Sequence, residues 1–376
     1  MKGGLVIIFS GLIFLCMQTR CSVPNTPTKQ AKNLLQYSTM LSLDTGLNFT
    51  VCRFNLSSQT WILCKDSVQG RKLYPEAHIL QWPLTRIIAL SSVYAAWICE
   101  VGHCEALIGI DNVQYSTQAQ IKQGYVQGDI VSYPGSLQSQ LEALIMARPQ
   151  LILTSSYEPI SERVYAILEQ HGIAVWQCAD YLESHPLGRS SWLAAAAALF
   201  GTPKITLDSL KASQKQYLSL SDSAQKLVPK PRVLSSGMNA NGQWLVPGGK
   251  SFAAQLIKDA GGDYLWKTDA HSGSLEFTTE YVCAEAQRAD VWINPLELEC
   301  LNELQRYPNP VQKIAAVGKG AVYIPNKKRN ADGYSAYWDE ALLHPERVLR
   351  DLTTLFHAPS RLNSCNYYIS LKRQCP

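Results

Sequence analysis

Motifs that mark several common classes of enzyme are absent from this sequence of 376 residues. The segment PGGKS at residues 247–251 lacks the first glycine of a phosphate-binding loop, because Trp244 occupies that position. No G-x-S-x-G nucleophile elbow and no H-E-x-x-H zinc motif occur. A hydrolase therefore stays a remote alternative, for which Ser155 or Ser236 would have to pair with His271.

Charge of one sign and long apolar runs are also scarce. Lys and Arg number 34 against 30 Asp and Glu, and no basic run suggests a nucleic-acid-binding surface. Beyond residues 5–15, no apolar run approaches the length of a membrane-spanning helix. With 46% hydrophobic and 17% charged residues, the composition is that of a globular chain long enough for two domains.

The N-terminus has the pattern of an export signal. Lys2 precedes the apolar run, and polar residues follow it. Cys21 and Cys16 each stand where a lipoprotein signal is cleaved and acylated, although Leu15 and Arg20 are poor matches to the small residue expected before such a cysteine. We expect an exported, periplasmic protein held at a membrane by a lipid anchor, with simple secretion as the alternative.

Eleven cysteines in an exported chain suggest disulfides. The pairs that lie close in sequence are Cys52 with Cys64, Cys99 with Cys104, and Cys365 with Cys375. His103 beside Cys104 suggests a zinc site as the alternative, but no second Cys/His pair of matching spacing follows. Several cysteines could instead be small buried apolar residues, and we expect no metal site.

Residues 188–227 organise the chain, because they carry helix signals and no strand signal. An alanine run ends at Gly201, and Thr202-Pro203 then has the pattern of an N-cap followed by proline in the first turn. The pattern predicts a helix over residues 204–226, roughly 35 Å long at about 1.5 Å per residue. Strand and helix patterns alternate on both sides, which predicts two α/β lobes with parallel sheets, a helical spine between them, and a cleft.

The predicted domain boundaries follow from this pattern. Residues 34–85 contain short strand patterns and no helix signal. The predicted segments are a signal (1–21), a tether (22–33), an N-terminal β extension (34–85), a first α/β lobe (86–187), the helical spine (188–228), a second α/β lobe (229–358) and a tail (359–376).

Six segments, in order, carry a resemblance to one known family. They are RIIALSSVYAAWICEVG, QLEALIMARPQLIL, YLESHPLGRSSWLAAAAALFG, GQWLVPGGKSFAAQLIKDAGGDYLW, ADVWINP and YWDEALLHPERVLRDLTTLFH. They resemble the solute-binding proteins of ABC importers for iron–siderophore complexes, cobalamin and haem, especially the Bacteroidetes-type long form with the same N-terminal β extension. The resemblance implies the class III periplasmic binding protein fold, in which a long helix bridges two Rossmann-like lobes and ligand binds between them.

The resemblance also implies docking residues. The family docks onto arginines of its permease through one glutamate on each lobe, and these match Glu142 and Glu280. Gln150 departs from the aspartate that usually follows the nearby proline. Such ion pairs affect encounter and orientation more than affinity. The alternative is that both glutamates are solvated acids that complement a helix dipole.

Aromatic residues with a few polar neighbours occur in the loops where α/β sheets bind ligands. The candidate ligand contacts are Tyr94, Tyr115, Tyr133, Tyr157, Trp244, Trp266, Arg329, Tyr334 and Trp338. Such a set suits a large, flat or amphipathic ligand, and Arg329 with Lys327 and Lys328 could meet an anionic chelate. The alternative is that many of these rings pack in the core.

The expected function is that of a receptor without a reaction or a resident cofactor. It would deliver an iron complex, a ferric siderophore, to ABC permease subunits, with cobalamin or haem as the alternative. His271 could ligate haem or cobalt, although a lone loop histidine is more often solvated. A receptor for a bare cation would need three or four His, Glu or Asp side chains, and the cleft loops are too aromatic for that.

Overall fold

The computed structural model describes residues 35–46, 48–239, 243–295, 298–306 and 309–374. The predicted signal, both lipidation cysteines (Cys16 and Cys21) and Cys375 lie outside these residues. Residues 33–376 group into one compact unit, described below. Within the described part of this unit, no helix has both the length and the apolar character needed to cross a membrane.

The N-terminal sheet has four strands in the order β1–β2–β3–β4. Three antiparallel strands, β1 (Leu41–Thr45), β2 (Phe49–Phe54) and β3 (Gln59–Cys64), are followed by helix α1 (Ser67–Leu73) and by β4 (His78–Gln81), which runs parallel to β3. The prediction of no helix here was wrong. A parallel pair needs a crossover connection, and α1 supplies it, capped by the Asp66 side chain.

The buried carboxylate of Glu183 attaches the segment before this sheet to the rest of the fold. It accepts hydrogen bonds from Ser38 Oγ at 2.5 Å, from the backbone N–H of Thr39 at 2.7 Å and of Met40 at 3.2 Å, and from Trp192 Nε1 at 3.0 Å. A buried charge is tolerated only when it is bonded in this way. The N-terminal sheet therefore depends on an acid that lies more than a hundred residues away.

The first lobe is built on a parallel sheet with the strand order β7–β6–β5–β8–β9. Its strands are β5 (Ile87–Ala89), β6 (Leu107–Ile110), β7 (Val131–Ser132), β8 (Leu151–Ser155) and β9 (Ala174–Cys178). Its helices are α2 (Ser92–Glu100), α3 (Ala119–Gln127), α4 (Leu141–Ala147) and α5 (Glu162–Gln170). The strand order reverses at β5, which places a crevice at the carboxyl ends of the strands.

Three helices bridge the lobes: α6 (Pro186–Ser190), α7 (Trp192–Ala198) and α8 (Pro203–Ala224). The predicted long helix is confirmed as α8, and proline occupies its first turn. Gly201 has a φ of +73°, and a Cβ there would come within 2.7 Å of the Trp82 ring, so glycine is needed for both conformation and space.

The second lobe has a five-stranded sheet in the order β13–β10–β15–β16–β17, parallel except for its last strand, and a small antiparallel sheet in the order β11–β12–β14. Its strands are β10 (Arg232–Ser235), β11 (Gly237–Met238), β12 (Trp244–Pro247), β13 (Asp263–Tyr264), β14 (Ser274–Phe277), β15 (Val291–Ile293), β16 (Val322–Ile324) and β17 (Ile369–Ser370). Its α-helices are α9 (Phe252–Asp259), α10 (Thr279–Ala286), α11 (Asn309–Gln312), α12 (Ala315–Gly318) and α13 (Pro345–His357). Short 3-10 helices occur in the chain at Cys104–Ala106, Val113–Tyr115, Asp180–Leu182, Leu301–Arg306, Ala341–Leu343 and Pro359–Ser364. This architecture confirms the predicted fold class.

The cysteine predictions have mixed outcomes. The disulfide between Cys99 and Cys104 is confirmed. The pairing of Cys52 with Cys64 was wrong, because the register of β2 and β3 sets Cys52 opposite Trp61 and leaves both thiols free and buried. Cys365 is also a free, buried thiol, so its predicted pairing was wrong as well.

Candidate ligand-binding cleft

The loops at the carboxyl ends of the first-lobe strands enclose a pocket of about 200 Å³, called the first pocket below. Its walls are formed by Leu90, Asp111, Asn112, Tyr115, Pro134, Gly135, Leu137, Thr154, Ser155 and Glu158. The Asn112 side chain accepts a hydrogen bond from the backbone N–H of Gln114 at 3.0 Å, which fixes the turn after β6 and positions Tyr115. The pocket lies where a parallel sheet is expected to bind ligands.

The second lobe has a pocket of the same size, about 200 Å³, called the second pocket. It is lined by Asn294, Pro295, Leu298, Glu299, Ile324, Pro325, Asn326, Arg329 and Trp338, again at the carboxyl ends of strands. Arg329 Nη1 lies 3.6 Å from Glu299 Oε1 across its wall. Both parallel sheets therefore present a pocket at their ligand-binding edge.

A set of interlobe bonds, called the clasp, joins the two lobes beside these pockets. The Asn330 side chain donates to the carbonyl oxygens of Gln114 and Ser116, each at 2.8 Å. Asp339 accepts from the backbone N–H and the hydroxyl of Thr117, and Lys122 forms an ion pair with Asp332.

An aromatic contact accompanies the clasp. The Tyr115 and Tyr334 rings meet edge to face, with centroids 4.7 Å apart. Tyr115 belongs to the wall of the first pocket, and Tyr334 lies in the loop between Arg329 and Trp338, which both line the second. This contact therefore links the wall of the first pocket to the loop that carries two residues of the second.

The Arg189 side chain joins the bridging helices to both lobes. Its Nε donates to Asp180 Oδ2 at 2.9 Å, and its guanidinium carbon lies 4.6 Å from the centroid of the Phe252 ring. The Tyr94 hydroxyl donates to the other oxygen of Asp180 at 3.3 Å. Burial raises the pKa of Tyr94 well above its usual range, and the negative charge of Asp180, to which the phenol donates, acts in the same direction.

Four of the predicted ligand contacts are buried inside the lobes: Tyr94, Tyr133, Trp244 and Trp266. Tyr133 packs on Gly109, where a Cβ would come within 2.5 Å of its ring. Trp244 has no exposed surface, and its ring centroid lies 5.6 Å from that of Trp292. Trp266 packs against Tyr264 and Phe277. These placements favour core packing for all four.

The other predicted contacts lie near the cleft surface. Tyr115, Tyr157, Tyr334 and Trp338 are 43%, 79%, 40% and 50% exposed, and Arg329 lines the second pocket. Partly exposed aromatic rings present apolar surface that a ligand can cover. The structure thus places Tyr115 in the wall of the first pocket and Arg329 and Trp338 in the wall of the second, whereas Tyr157 and Tyr334 line neither.

The predicted docking glutamates are both exposed, Glu142 in the first turn of α4 and Glu280 in the first turn of α10. His271 is 72% exposed, with Nδ1 3.2 Å from Asp269, and it lines neither pocket. The residues that the structure describes contain no group of three His, Cys, Asp or Glu side chains able to hold a metal ion. The alternative pairing of Ser155 with His271 gains no support from this placement.

Sequence reasoning missed Asp111, which directly follows β6. Its Oδ1 atom is buried and has no hydrogen-bond partner among the described residues. Burial raises the pKa of Asp111 to about 6, although hydrogen bonds from backbone N–H groups oppose the shift. An acid at the end of the buried run ALIGID was the available signal.

Comparison with known proteins places this architecture among known folds. No protein-family model matches the chain. A protein of similar sequence, an uncharacterised lipoprotein of Methanocaldococcus jannaschii, is 25% identical over 300 residues, which are 76% of this chain and 68% of that protein.

Three solved structures cover this chain at low sequence identity. A possible iron-binding, periplasmic solute-binding protein of Staphylococcus epidermidis matches with a TM-score of 0.54 at 16% identity, over 73% of this chain and 99% of its own. A periplasmic haem-binding protein of Pseudomonas aeruginosa matches with a TM-score of 0.53 at 18% identity, over 76% of this chain and 95% of its own. A periplasmic vitamin B12-binding protein of Vibrio cholerae matches with a TM-score of 0.51 at 12% identity, over 75% of this chain and 99% of its own. The resemblance indicated by the sequence is confirmed at the level of the fold: this chain has the two-lobed, helix-bridged fold of periplasmic solute-binding proteins.

Proposed function

We propose that this protein is the solute-binding component of an ABC importer. It captures a ligand between its lobes and delivers it to a permease, without catalysing a reaction. The observation that carries the proposal is the pair of pockets at the carboxyl ends of both parallel sheets, with the Tyr115 ring of the first pocket in contact with the Tyr334 ring of the second lobe. A ligand that fills both pockets would contact both lobes at once, as a receptor that closes on its ligand requires.

The ligand we propose is an iron complex, first of all a ferric siderophore, with cobalamin or haem as the second candidate. Each of these is larger than either pocket alone and carries flat or apolar surface that suits exposed rings. Support comes from the shared fold, because the similar structures include proteins described as binding haem and vitamin B12.

Glu142 and Glu280 are the proposed docking residues for the permease. They are exposed, lie on different lobes, and form no ion pair with any described residue. Unpaired carboxylates of this kind are free to meet arginines on a partner. We also propose a periplasmic location with a lipid anchor at Cys21 or Cys16, which the similarity to a lipoprotein supports.

A binding screen tests the proposal. The exported protein is titrated by calorimetry with ferric siderophores, cyanocobalamin and haem, and with the metal-free siderophores as controls. We expect submicromolar affinity for one class of ligand. If that class is a siderophore, we expect the metal-free form to lose this affinity. Absence of binding across the whole panel would contradict the proposed ligand classes.

A further inference from the structure

Basic side chains are scarce in the walls of the two pockets. Arg329 is the only basic residue among the described residues that line them. Its guanidinium lies 3.6 Å from the carboxylate of Glu299, which lines the same pocket. An anionic ligand that approached Arg329 would therefore also approach a carboxylate.

The neighbouring lysines are engaged elsewhere. Lys327 donates to two backbone carbonyl oxygens of the C-terminal segment. Lys328 forms an ion pair with Glu340, and Lys122 forms one with Asp332 in the clasp. The basic residues that the sequence offered to an anionic chelate are thus bonded within the protein.

Acidic side chains of the first pocket, in contrast, form no ion pair with any residue that the structure describes. Asp111 and Glu158 line it without a basic neighbour in its wall. Among the described residues, the two pockets together hold three carboxylates and one guanidinium, a net charge of −2 when all four are ionised. Like charges in a partly buried cleft are screened less than on an open surface, so an anionic ligand is repelled.

The carboxylate of Asp111 indicates that the ligand carries hydrogen-bond donors. Oδ1 accepts no hydrogen bond from the described residues, and a buried acceptor without a donor is costly. The pKa of Asp111, about 6, leaves the carboxylate mostly ionised at neutral pH. A carboxylate in the wall of the first pocket therefore favours a ligand that brings an N–H group or an ammonium to that wall.

We propose that the cleft selects a ligand with an uncharged or cationic surface rich in N–H donors, and excludes polyanionic ligands. This inference rests on the proposed function and narrows its ligand class. A ferric trihydroxamate fits, because three hydroxamates balance the charge of the ferric ion. A corrinoid edged by neutral amides also fits. A ferric tricatecholate, which carries three negative charges, and haem with its two propionates do not.

The test uses two iron complexes that differ in one charge. Ferrioxamine B, a ferric trihydroxamate with a free ammonium group, is compared with its N-acetyl derivative, and ferric enterobactin, haem and cyanocobalamin complete the panel. Dissociation constants are measured by calorimetry on the exported protein at neutral pH and low salt. We expect the ammonium form to bind about tenfold tighter than the acetylated form, and the tricatecholate and haem to bind weakest.

Paired variants separate this charge effect from loss of folding. Asp111→Asn with Glu158→Gln is expected to reduce the preference for the ammonium form to about twofold or less. Glu162→Gln with Glu169→Gln removes the same charge from exposed positions on α5 and is expected to keep the full preference. Circular dichroism and thermal denaturation of both variants report whether the fold is intact.

The outcomes distinguish this inference from the proposed function. If ferric enterobactin or haem binds tightest, or the two trihydroxamates both bind and do so with equal affinity, the inference is wrong while the receptor function stands. If cyanocobalamin alone binds, the inference holds and the ligand is a corrinoid. If nothing on the panel binds, both the inference and the proposed ligand classes fail.

Discussion

Asp339 in the second lobe accepts hydrogen bonds from both the backbone N–H and the hydroxyl of Thr117 in the first lobe, at 2.9 and 2.8 Å. The two residues are 222 positions apart, and the carboxylate is only 1% exposed. Burial raises the pKa of Asp339, although the bonds from Thr117 oppose the shift. The lobes are therefore joined twice, by the bridging helices and by this shielded clasp.

Removing the Thr117 hydroxyl is expected to loosen the clasp. Thr117→Val leaves the buried carboxylate with one donor fewer, at a cost of about 1–3 kcal/mol in the free energy of unfolding. Urea denaturation measures the cost, and small-angle scattering reports any opening of the lobes. Thr353→Val is the matched control, because the Thr353 hydroxyl bonds only within its own helix, to the Leu349 carbonyl. Equal losses in both variants would argue against a special role for the clasp.

Charge reversal tests the proposed docking residues. Glu142→Arg with Glu280→Arg places two positive charges where arginines of the permease are expected, so uptake of the radiolabelled ligand is expected to be abolished. Ligand affinity, measured by calorimetry, is expected to stay within about twofold, because neither residue is among the described residues that line the first and second pockets. Glu162→Arg with Glu169→Arg on α5 controls for net charge. Normal uptake in the first double variant would remove the docking assignment.

His344 makes stability depend on pH. Its Nε2 lies 3.3 Å from Glu100 on α2, and its Nδ1 lies 3.6 Å from Glu346 on α13. Burial alone would lower the pKa of His344, but the bonds to the two carboxylates outweigh it and raise the pKa to about 9. Because the folded value lies above the unfolded value of 6.5, the stabilisation is fully present below pH 6.5 and is lost as the pH rises through about 9.

The matching experiment compares His344→Gln with the wild-type protein at several pH values. A shift of this size corresponds to roughly 3 kcal/mol, so the variant is expected to lose about that much stability near pH 6 and much less near pH 10. Urea denaturation across this range provides the measurement, with His171→Gln, at an exposed position after α5, as the control. A loss that is independent of pH would contradict the ion-pair origin.

Two tryptophans predicted to contact ligand are expected to behave in opposite ways. Trp244→Ala opens a cavity in the core of the second lobe, at a cost of about 3–5 kcal/mol in stability. Trp338→Ala removes a half-exposed ring, so it is expected to change stability by less than about 0.5 kcal/mol but to weaken ligand binding. Thermal denaturation measures the stability of both variants, and calorimetry measures their ligand affinity. Weak ligand binding with little loss of stability in Trp244→Ala would restore Trp244 as a ligand contact.

The order of the elements could be predicted because its signals are local. The proline and preceding threonine at the start of α8 and the apolar run of β8 indicate their structures without knowledge of the rest of the chain. Helix α1 was missed because its seven residues are too few to show a period, and its one strong signal is the cap at Asp66.

The site was harder to predict than the fold, because it depends on contacts between distant residues. Nothing local marks Thr117 as the partner of Asp339. A tryptophan in a segment predicted as a loop has the same sequence signal whether its ring turns inward, as at Trp244 in β12, or outward, as at Trp338. The pairing of each cation near the cleft likewise depends on the folded arrangement.

The bonds of Glu183 have a consequence for how this protein could have evolved. Four residues donate to that one buried carboxylate, and three of them, Ser38, Thr39 and Met40, immediately precede β1. A chain that lost this segment would keep a buried charge with too few donors, which is strongly unfavourable. The N-terminal sheet and the acid are therefore expected to be inherited together, so that relatives without the sheet carry a neutral residue at the position of Glu183.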